Sequence, residues 1–279
     1  MSKDLFDKVS LRCSKLTTQA YSTSFSLGIR CLDREIRNPI YAIYGFVRFA
    51  DEIVDTFHQY DKQTLLNRFK QETYLAIEEK ISLNPILNSF QATVNEFKIE
   101  RELIDQFLYS MEMDLTQKEY DRLNFEQYIL GSAEVVGLMC LRVFCKGDEQ
   151  QYQKLKPSAM KLGSAFQKIN FLRDLKADYE GMGRKYFPEL NIDQFNEKTK
   201  ATIEESIAED FKAGYEGIKM LPRSARFGVY MAYVYYLALF KKIRNTPSEL
   251  VLRSRIRIRN RHKISILCFS FLKHQLNLI

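Results

Sequence analysis

The rarity of residues that break helices constrains this chain most. Its 279 residues include only 11 Gly and 6 Pro, too few for the many tight turns of an all-β protein. Apolar residues recur at helical spacing over most of the sequence. Short breaks separate these helical segments at Asn84-Pro85, Lys146-Gly147-Asp148, Gly181-Met182-Gly183, Leu221-Pro222 and Thr246-Pro247. The sequence therefore predicts an all-α fold.

No part of the sequence reads as a linker between domains. It has no repeat of solenoid period, no low-complexity tract and no Pro-, Gly- or Ser-rich stretch that divides it. The length suits one large helical domain or two ordinary ones, and one is the simpler interpretation. We therefore expect a single domain over residues 1–279.

The amino terminus and the cysteines predict a cytoplasmic protein. The first residues, MSKDLFDKVSLRCSKL, lack the apolar run of a signal peptide. The five cysteines are odd in number and form no CxxC, as expected for thiols in a reducing compartment. No two of the three histidines, His58, His262 and His274, have the sequence spacing that is typical of zinc ligands. We therefore expect any metal to be a hard cation bound by oxygen.

The positive charge of the chain is concentrated near its carboxyl end. Residues 241–263 hold nine Lys or Arg and a single acid, Glu249, against a net charge of +7 for the whole chain. The apolar run ISILCFSFL follows at residues 264–272. This order suits peripheral contact with the inner face of a membrane, and a solvated face that helps close a binding pocket is the equal alternative. The sequence contains no motif of a protein that recognises bases in a nucleic-acid groove, so we expect no nucleic-acid partner.

Two patterns near the carboxyl end bear on conformation and on membrane insertion. One is the alternation of Arg in the basic region, and the other is the apolar run before it. Arg occupies every second position from 253 to 261, which scatters the charges on a helix and aligns them on an extended segment. The apolar run FGVYMAYVYYLALF at residues 227–240 has 14 residues, whereas a spanning helix needs about 20. That run is therefore predicted to be a buried core helix.

The stretch FVRFADEIVD places two acids one helical turn apart in a largely apolar segment. On a helix over residues 40–58, Tyr44, Arg48, Asp51 and Asp55 fall within an arc of about 60° beside an apolar face. Carboxylates at this spacing repel each other, and more strongly where an apolar wall lowers the local dielectric constant. Something must offset that repulsion.

A second stretch, AFQKINFLRDLKADY at residues 165–179, repeats the pattern. Here Gln167, Asn170, Asp174 and Asp178 fall within about 80° of helix surface. A single DxxxD is weak evidence because such pairs also occur on solvated faces. Two oxygen-rich rows, each beside an apolar face and without Lys at i+4, are much stronger evidence.

If the two rows face each other across a cavity, four carboxylates and two amides converge there. Mg²⁺ fits such a site, since it takes oxygen ligands octahedrally and leaves positions for water and substrate phosphates. We therefore predict a Mg²⁺ site, with Mn²⁺ as a substitute, that leaves room for substrate phosphates.

At these residues the sequence resembles the squalene and phytoene synthase family, the head-to-head prenyl diphosphate synthases. YGFVRFADEIVD is similar to the family's first DxxxD motif, and NFLRDLKAD to its second motif, NxxRDxxED. STSFSLGI (22–29), YILGSAEVVG (128–137) and GRKYFP (183–188) are similar to three further family elements, in the family's order. The resemblance implies an isoprenoid-synthase-like helical bundle around a central cavity. Within the family, the resemblance points to the phytoene synthases.

The sequence departs from the family pattern at three positions. Ala177 stands where the family has Glu, Glu134 where it has Gly, and Leu130 where it has an aromatic residue. Asp174 and Asp178 still provide the acid pair of the second motif. The departures therefore affect the substrate assignment more than the reaction class.

The resemblance implies a phytoene synthase. Two geranylgeranyl diphosphates would condense through a cyclopropylcarbinyl diphosphate to phytoene, without a reductant. No nicotinamide is expected for phytoene, because GMG at 181–183 lacks the third Gly and the preceding strand of a dinucleotide site and no such motif occurs elsewhere. Members of the family can, however, bind nicotinamide without that motif. The enzyme alternative is a squalene or dehydrosqualene synthase that uses farnesyl diphosphate. The non-enzyme alternative is a membrane-associated assembly or binding protein of the family, which would be expected to lose the acid rows.

The resemblance also implies roles for individual residues, with prenyl diphosphates as the ligands. The sequence leaves the oligomeric state open and is compatible with a monomer. Any one tyrosine could equally be a packing residue of the core, or could stabilise a carbocation with its ring. The expected metal ligands are Asp51, Asp55, Asn170, Asp174 and Asp178. The expected catalytic residues are Tyr44, Arg48, Asp51, Asp55, Asp174 and Asp178. The expected substrate-binding residues are Ser24, Phe25, Tyr128, Gln167, Asn170, Arg173, Tyr236 and Arg255.

Overall fold

The computed structural model describes residues 2–188, 195–258 and 270, and these form helices joined by short connections. The described part contains no strand, only one isolated bridge between Glu119 and Lys185. The all-α prediction is therefore confirmed. The helices are α1 Lys3–Tyr21, α2 Thr23–Arg30, α3 Arg34–Asp55, α4 Lys62–Glu79, α5 Pro85–Phe97, α6 Arg101–Thr116, α7 Arg122–Ile129, a π-helical turn Leu130–Glu134, α8 Val135–Cys145, α9 Glu149–Met182, α10 Glu197–Met220, α11 Arg223–Arg244 and α12 Ser248–Arg253.

The predicted breaks coincide with helix ends. Asn84 caps α5, since its side chain accepts hydrogen bonds from the backbone at the start of that helix. Gly183 ends α9 with a φ of 66°, a left-handed conformation that suits glycine. The helix with the first acid row ends at Asp55, three residues before the predicted end. There the Nζ of Lys62 donates to the carbonyl of Val54 at 2.8 Å and satisfies one of the last backbone acceptors.

Two apolar clusters form the interior of the protein. In the first, Phe46 of α3 stacks on Phe90 of α5 with ring centroids 3.8 Å apart. In the second, Phe171 of α9 stacks on Tyr186 at 4.1 Å. The apolar run at residues 227–240 lies within α11 and contributes buried side chains to both clusters. The prediction of a buried core helix is therefore confirmed.

Among the described residues, one helical run is long and apolar enough to cross a membrane by length and composition. This run is Arg122–Cys145, with 24 residues, and 56% of its most apolar window is buried inside the protein. Mostly buried core helices share this length and composition.

Helix α1 packs on α3 and α5 through small hydroxyl side chains. Ser10, Ser14 and Thr18 are buried, and the Oγ atoms of Ser14 and Ser89 lie 2.6 Å apart. Ser14 approaches α3 at Gly45, where a Cβ would lie only 3.0 Å from the Ser14 Oγ. The apolar residues of α1 therefore lie mostly on its other side.

The alternating-Arg segment is extended where the structure describes it. After α12, residues 254–258 form no helix, and the side chains of Ile256 and Ile258 are buried while Arg255 and Arg257 stay accessible. The period of two in this segment is therefore that of an extended chain. Arg259, Arg261, His262 and His274 lie outside the described residues, as does the apolar run 264–272 apart from Ser270.

Candidate active site

A cavity of about 640 Å³ lies among the helices. Much of its wall is aliphatic or aromatic, and another part carries acids and arginines. Its apolar wall includes Leu32, Ile43, Phe107, Phe144, Leu155 and Ile218. Its charged wall includes Arg48, Asp51, Asp55, Asp114, Arg173, Asp174, Asp178, Arg184 and Arg255.

The first acid row occupies the last turns of α3. Arg48, one turn before the acids, donates from Nη1 to Asp51 Oδ2 at 2.9 Å and also binds Glu52. Arg184, from the loop after α9, donates from Nη1 to Asp55 Oδ1 at 2.8 Å. Both acids of the row are therefore bound to arginines.

The second acid row lies near the end of α9. Arg173 donates from Nε to Asp174 Oδ1 at 3.1 Å, and the Nε of Arg255 lies 2.7 Å from the same oxygen. Asp178 has no ion pair within the described residues. One acid of this row is therefore bound by two guanidinium groups and the other by none.

The electrostatics show that the two rows act on each other across the cavity. Burial raises the pKa of Asp178 to about 7, with further increases from Asp174 on its own helix and from Asp55 and Asp114 on α3 and α6. Burial, followed by repulsion from Asp55, likewise raises the pKa of Asp51. The cavity therefore carries more negative charge than its arginines neutralise.

A buried carboxylate network, which the sequence did not reveal, adjoins the first row. Asp114 of α6 accepts from the hydroxyl of Tyr128 at 2.6 Å and from that of Tyr186 at 3.1 Å. The hydroxyl of Tyr120 is a third donor at 3.3 Å. Burial raises the pKa of Asp114 to about 6, although Arg184 and Tyr128 act in the opposite direction. The network fixes Tyr128 in the cavity wall.

The end of α9 places Arg184 between the acids. The N–H of Gly183 donates to the carbonyl of Tyr179, and the N–H of Arg184 to that of Asp178 at 2.9 Å. This turn directs the Arg184 side chain inward, where Nη2 donates to the backbone carbonyl of Asp114 at 3.1 Å. A single buried guanidinium therefore joins the loop after α9 to α3 and α6.

Aromatic rings line the wall beside the acid rows. Phe25 of α2 contacts Tyr44 and Tyr236, with ring centroids 5.8 and 6.1 Å apart. Tyr236 stacks on Phe166 at 4.0 Å, and its hydroxyl donates to the Asn170 amide oxygen at 3.3 Å. Electron-rich rings therefore surround the apolar space next to the charged wall.

Every predicted site residue except Ser24 lines the cavity. Those that line it are Phe25, Tyr44, Arg48, Asp51, Asp55, Tyr128, Gln167, Asn170, Arg173, Asp174, Asp178, Tyr236 and Arg255. Ser24 lies about 100° around α2 from Phe25, outside the face that the helix presents to the cavity. Ser22 lines the cavity instead, and its Oγ accepts from the N–H of Phe25 at 3.2 Å.

Tyr21 is a second cavity residue that the sequence did not reveal. Its ring lies 4.4 Å from the guanidinium carbon of Arg48, a cation–π contact. The Nε of Arg48 is buried and has no hydrogen-bond partner within the described protein. Arg48 therefore has one buried donor without a partner in the described protein.

The donor set suits a hard cation. It consists of carboxylate and amide oxygens, the ligands that Mg²⁺ prefers, with no thiol or imidazole in the charged wall. Within residues 2–188 and 195–258, no three acidic, His or Cys side chains lie close enough together to hold a metal ion as they stand. Asp51, Asp55 and Asp174 are instead bound directly by arginines.

Comparison with known proteins assigns the chain to a family. The pattern of the squalene/phytoene synthase family matches residues 18–262. The presqualene diphosphate synthase of Sinorhizobium fredii is 31% identical over 176 residues, which make up 62% of this chain and 61% of that protein. The chloroplastic phytoene synthase 1 of Solanum lycopersicum is 25% identical over 256 residues, which cover 83% of this chain and 60% of that protein. The chain thus spans about three fifths of the length of these relatives.

The fold matches as well. A crystal structure of a dehydrosqualene synthase in complex with a ligand superposes with a TM-score of 0.83, at 20% identity and with 98% of each chain covered. This confirms the expected isoprenoid-synthase-like bundle. Because the family pattern covers most of the sequence, the chain belongs to the squalene/phytoene synthase family.

Proposed function

We propose that this protein is a Mg²⁺-dependent prenyltransferase that condenses two geranylgeranyl diphosphates head to head to form phytoene. The observation that carries the proposal is the meeting of two acid rows and four arginines in the wall of one largely apolar cavity. Such a cavity offers charge for two diphosphates and a dry space for their hydrocarbon chains.

The chemistry requires two ionisations and no reductant. Loss of diphosphate from the donor gives an allylic cation, which the double bond of the acceptor attacks. Loss of a proton gives a cyclopropylcarbinyl diphosphate. Its ionisation, rearrangement and second proton loss give phytoene. Two substrates thus yield one C40 hydrocarbon, two diphosphates and two protons.

The charged wall would hold the diphosphates. The guanidinium group of Arg48, which lines the cavity, would bind a diphosphate oxygen while Nη1 keeps its bond to Asp51. Arg173 and Arg255 are placed to do the same beside Asp174. Asp51, Asp55, Asn170, Asp174 and Asp178 would hold Mg²⁺, which when bound supplies positive charge to the leaving diphosphate.

The aromatic and aliphatic walls would protect the carbocation. The rings of Phe25, Tyr44 and Tyr236 meet beside the charged wall, and each can stabilise a nearby cation by about 0.5–2 kcal/mol. The apolar wall excludes water, which would otherwise capture the cation as an alcohol. Tyr128 would contact the substrate with its hydroxyl held by Asp114.

Two alternatives differ in substrate or in class. A farnesyl-using enzyme that makes a C30 product would need the same charged wall and a shorter apolar space, and the likeness to a presqualene diphosphate synthase favours it as the second candidate. A non-catalytic family member would have no need of the two acid rows, and this chain keeps both of them.

Incubation of the purified protein with Mg²⁺ and either geranylgeranyl or farnesyl diphosphate, without nicotinamide, tests the proposal. We expect phytoene from the C20 substrate. Exclusive formation of a C30 product, or a requirement for nicotinamide, would overturn the phytoene assignment. Absence of any condensation with either substrate would support the non-catalytic alternative. When acids of the two rows are replaced, the Glu79→Gln variant serves as the control for nonspecific loss of acidic charge, because Glu79 is exposed and far along the chain from both rows.

A further inference from the structure

Helix α1 exposes a line of apolar side chains on the face opposite its packing surface. Leu5, Val9 and Leu16 are 50%, 44% and 67% exposed. At 100° per residue they fall within about 40° of helix surface, and the half-buried Cys13 and exposed Ala20 extend this stripe to about 80°. We call these five residues the α1 stripe. An apolar stripe of this kind normally faces a core, whereas here Ser10, Ser14 and Thr18 face it.

Basic side chains border the α1 stripe on one side. Lys8, Arg12 and Lys15 are exposed and fall within about 60° of helix surface. None of the three has an ion pair within the described residues, whereas Lys3 of the same helix binds Asp7. Asp4 is the one acid at the border of this basic row. The exposed side of α1 thus combines an apolar stripe with three unpaired positive charges.

We propose that α1 lies flat on the surface of an anionic lipid membrane. The α1 stripe would enter the boundary between headgroups and acyl chains, and Lys8, Arg12 and Lys15 would contact acidic headgroups, as in interfacial amphipathic helices. This surface is distinct from the basic segment at residues 241–263. The proposal is also independent of the chemistry of the cavity.

The charge of α1 favours lipid over a second copy of this chain. A two-fold dimer through α1 would place the basic row of one protomer close to the same row of its partner. Such like charges repel each other at close range. An anionic lipid surface instead provides the complementary charge together with an apolar layer.

The position of α1 also relates the membrane to the cavity. The helix ends at Tyr21, and both Tyr21 and the following Ser22 line the cavity. A membrane in contact with α1 would therefore lie near one wall of the cavity. Substrates and products with long hydrocarbon chains could pass between lipid and protein over a short distance.

Flotation of the full chain with lipid vesicles tests this proposal. The vesicles contain either phosphatidylcholine alone or equal parts of phosphatidylcholine and phosphatidylserine. We expect the protein to bind the anionic vesicles. Because each basic residue near an anionic surface contributes severalfold, the triple variant K8E/R12E/K15E should bind about a hundredfold more weakly. The triple variant L5Q/V9Q/L16Q should bind at least about tenfold more weakly.

Matched controls carry the same changes elsewhere on the surface. R68E/K154E/K212E makes the same change in net charge at exposed residues of α4, α9 and α10. L75Q/L83Q/L123Q replaces leucines that are 50%, 89% and 78% exposed. Both controls should bind like the unchanged protein, and circular dichroism should show all variants folded, since none of these side chains is buried.

Three results would overturn the proposal. The unchanged protein could fail to float with anionic vesicles. The α1 variants could bind as well as their controls, which would assign membrane contact to another segment. The L5Q/V9Q/L16Q variant could convert a dimer to a monomer in light scattering without a change in flotation, which would assign the α1 stripe to a second copy of the chain.

Discussion

The two acid rows of the cavity are bound by arginines that differ in burial. Arg184, which binds Asp55 of the first row, has only 7% of its side chain exposed and also binds a backbone carbonyl of α6. Arg255, which binds Asp174 of the second row, is 49% exposed and lies on an extended segment after the last described helix. The first cation is part of the core, whereas the second can leave its acid without disturbing the core. Asp174 keeps its pair with Arg173 when Arg255 leaves, and Asp178 of the same row has no arginine partner within the described residues, so the second row is the more open of the two to a ligand.

The largest expected effect is a loss of turnover, and a substitution in either row should lower kcat by the same factor. Asp51→Asn and Asp174→Asn should each lower kcat by about 10³-fold, since each removes charge that the transition state needs. Steady-state assays with Mg²⁺ measure this, and Glu79→Gln should stay at the level of the unchanged protein. Full activity in either variant would show that the two rows are not equivalent and would contradict the metal-binding role of the substituted acid.

The two arginines should differ most in their effect on folding. Arg184→Met leaves Asp114 and Asp55 without their buried partner, and should lower the free energy of unfolding by about 3–5 kcal/mol. Arg255→Met removes a half-exposed pair and should change it by less than about 1 kcal/mol. Urea unfolding of both variants measures the difference. Equal losses would show that Arg255 is as much a part of the core as Arg184.

Removal of charge from the first row should stabilise the ligand-free protein. Because the pKa of Asp51 is raised in the folded state, the wild-type protein loses stability as pH rises from the unfolded pKa of about 4 towards about 7. The Asp51→Asn variant does not lose stability in this way. Its free energy of unfolding should therefore exceed that of the wild-type protein by an amount that grows over this pH range and stays constant above it. The side chain is 36% exposed, so we expect an advantage of only about 1 kcal/mol at pH 8.

Thermal unfolding of both proteins over this pH range measures the advantage. The comparison between variants cancels the other titrating groups. A stability difference that shrinks as pH rises would contradict the raised pKa.

The smallest expected effect is a change in KM when the ring of Tyr21, which contacts Arg48, is removed. Tyr21→Phe keeps the ring, and its KM for the prenyl diphosphate should change less than twofold. Tyr21→Leu removes a cation–π contact of about 0.5–1 kcal/mol, and its KM should rise about two- to fivefold with little change in kcat. Steady-state kinetics measure both. An equal loss in both variants would show that the hydroxyl, rather than the ring, positions Arg48.

Much of this arrangement follows from local pattern. The period of 3.6 residues predicts α3 and α9 and places two acids of each helix on one side, because the side chains of a helix follow its geometry. Each of the five breaks contains Pro or Gly, residues that end helices for local reasons. Even the alternating-Arg segment carries the period of two that its extended form displays.

The partners of the acids do not follow from local pattern. Asp114 binds three tyrosines from different parts of the chain, and Arg184 reaches an acid 129 positions away. One local signal for Asp114 was present, since it continues the apolar face of α6 that includes Phe107 and Met111. A carboxylate on such a face requires partners.

Ser24 shows the limit of assigning a site from a motif. Its place in STSFSLGI suggested contact with the substrate, but the rotation of α2 presents Ser22 and Phe25 to the cavity. The start of a short helix sets that rotation, and helix ends are poorly defined by sequence.

The central claim is that the facing acid rows bind pyrophosphate only through divalent cations. Isothermal titration of inorganic pyrophosphate into the protein, with and without Mg²⁺, tests it most directly. We expect binding with Mg²⁺, and a loss of at least about a hundredfold in affinity when Mg²⁺ is omitted or when Asp51→Asn and Asp174→Asn are combined. Equal affinity without Mg²⁺, or in the double variant with Mg²⁺, would contradict the account.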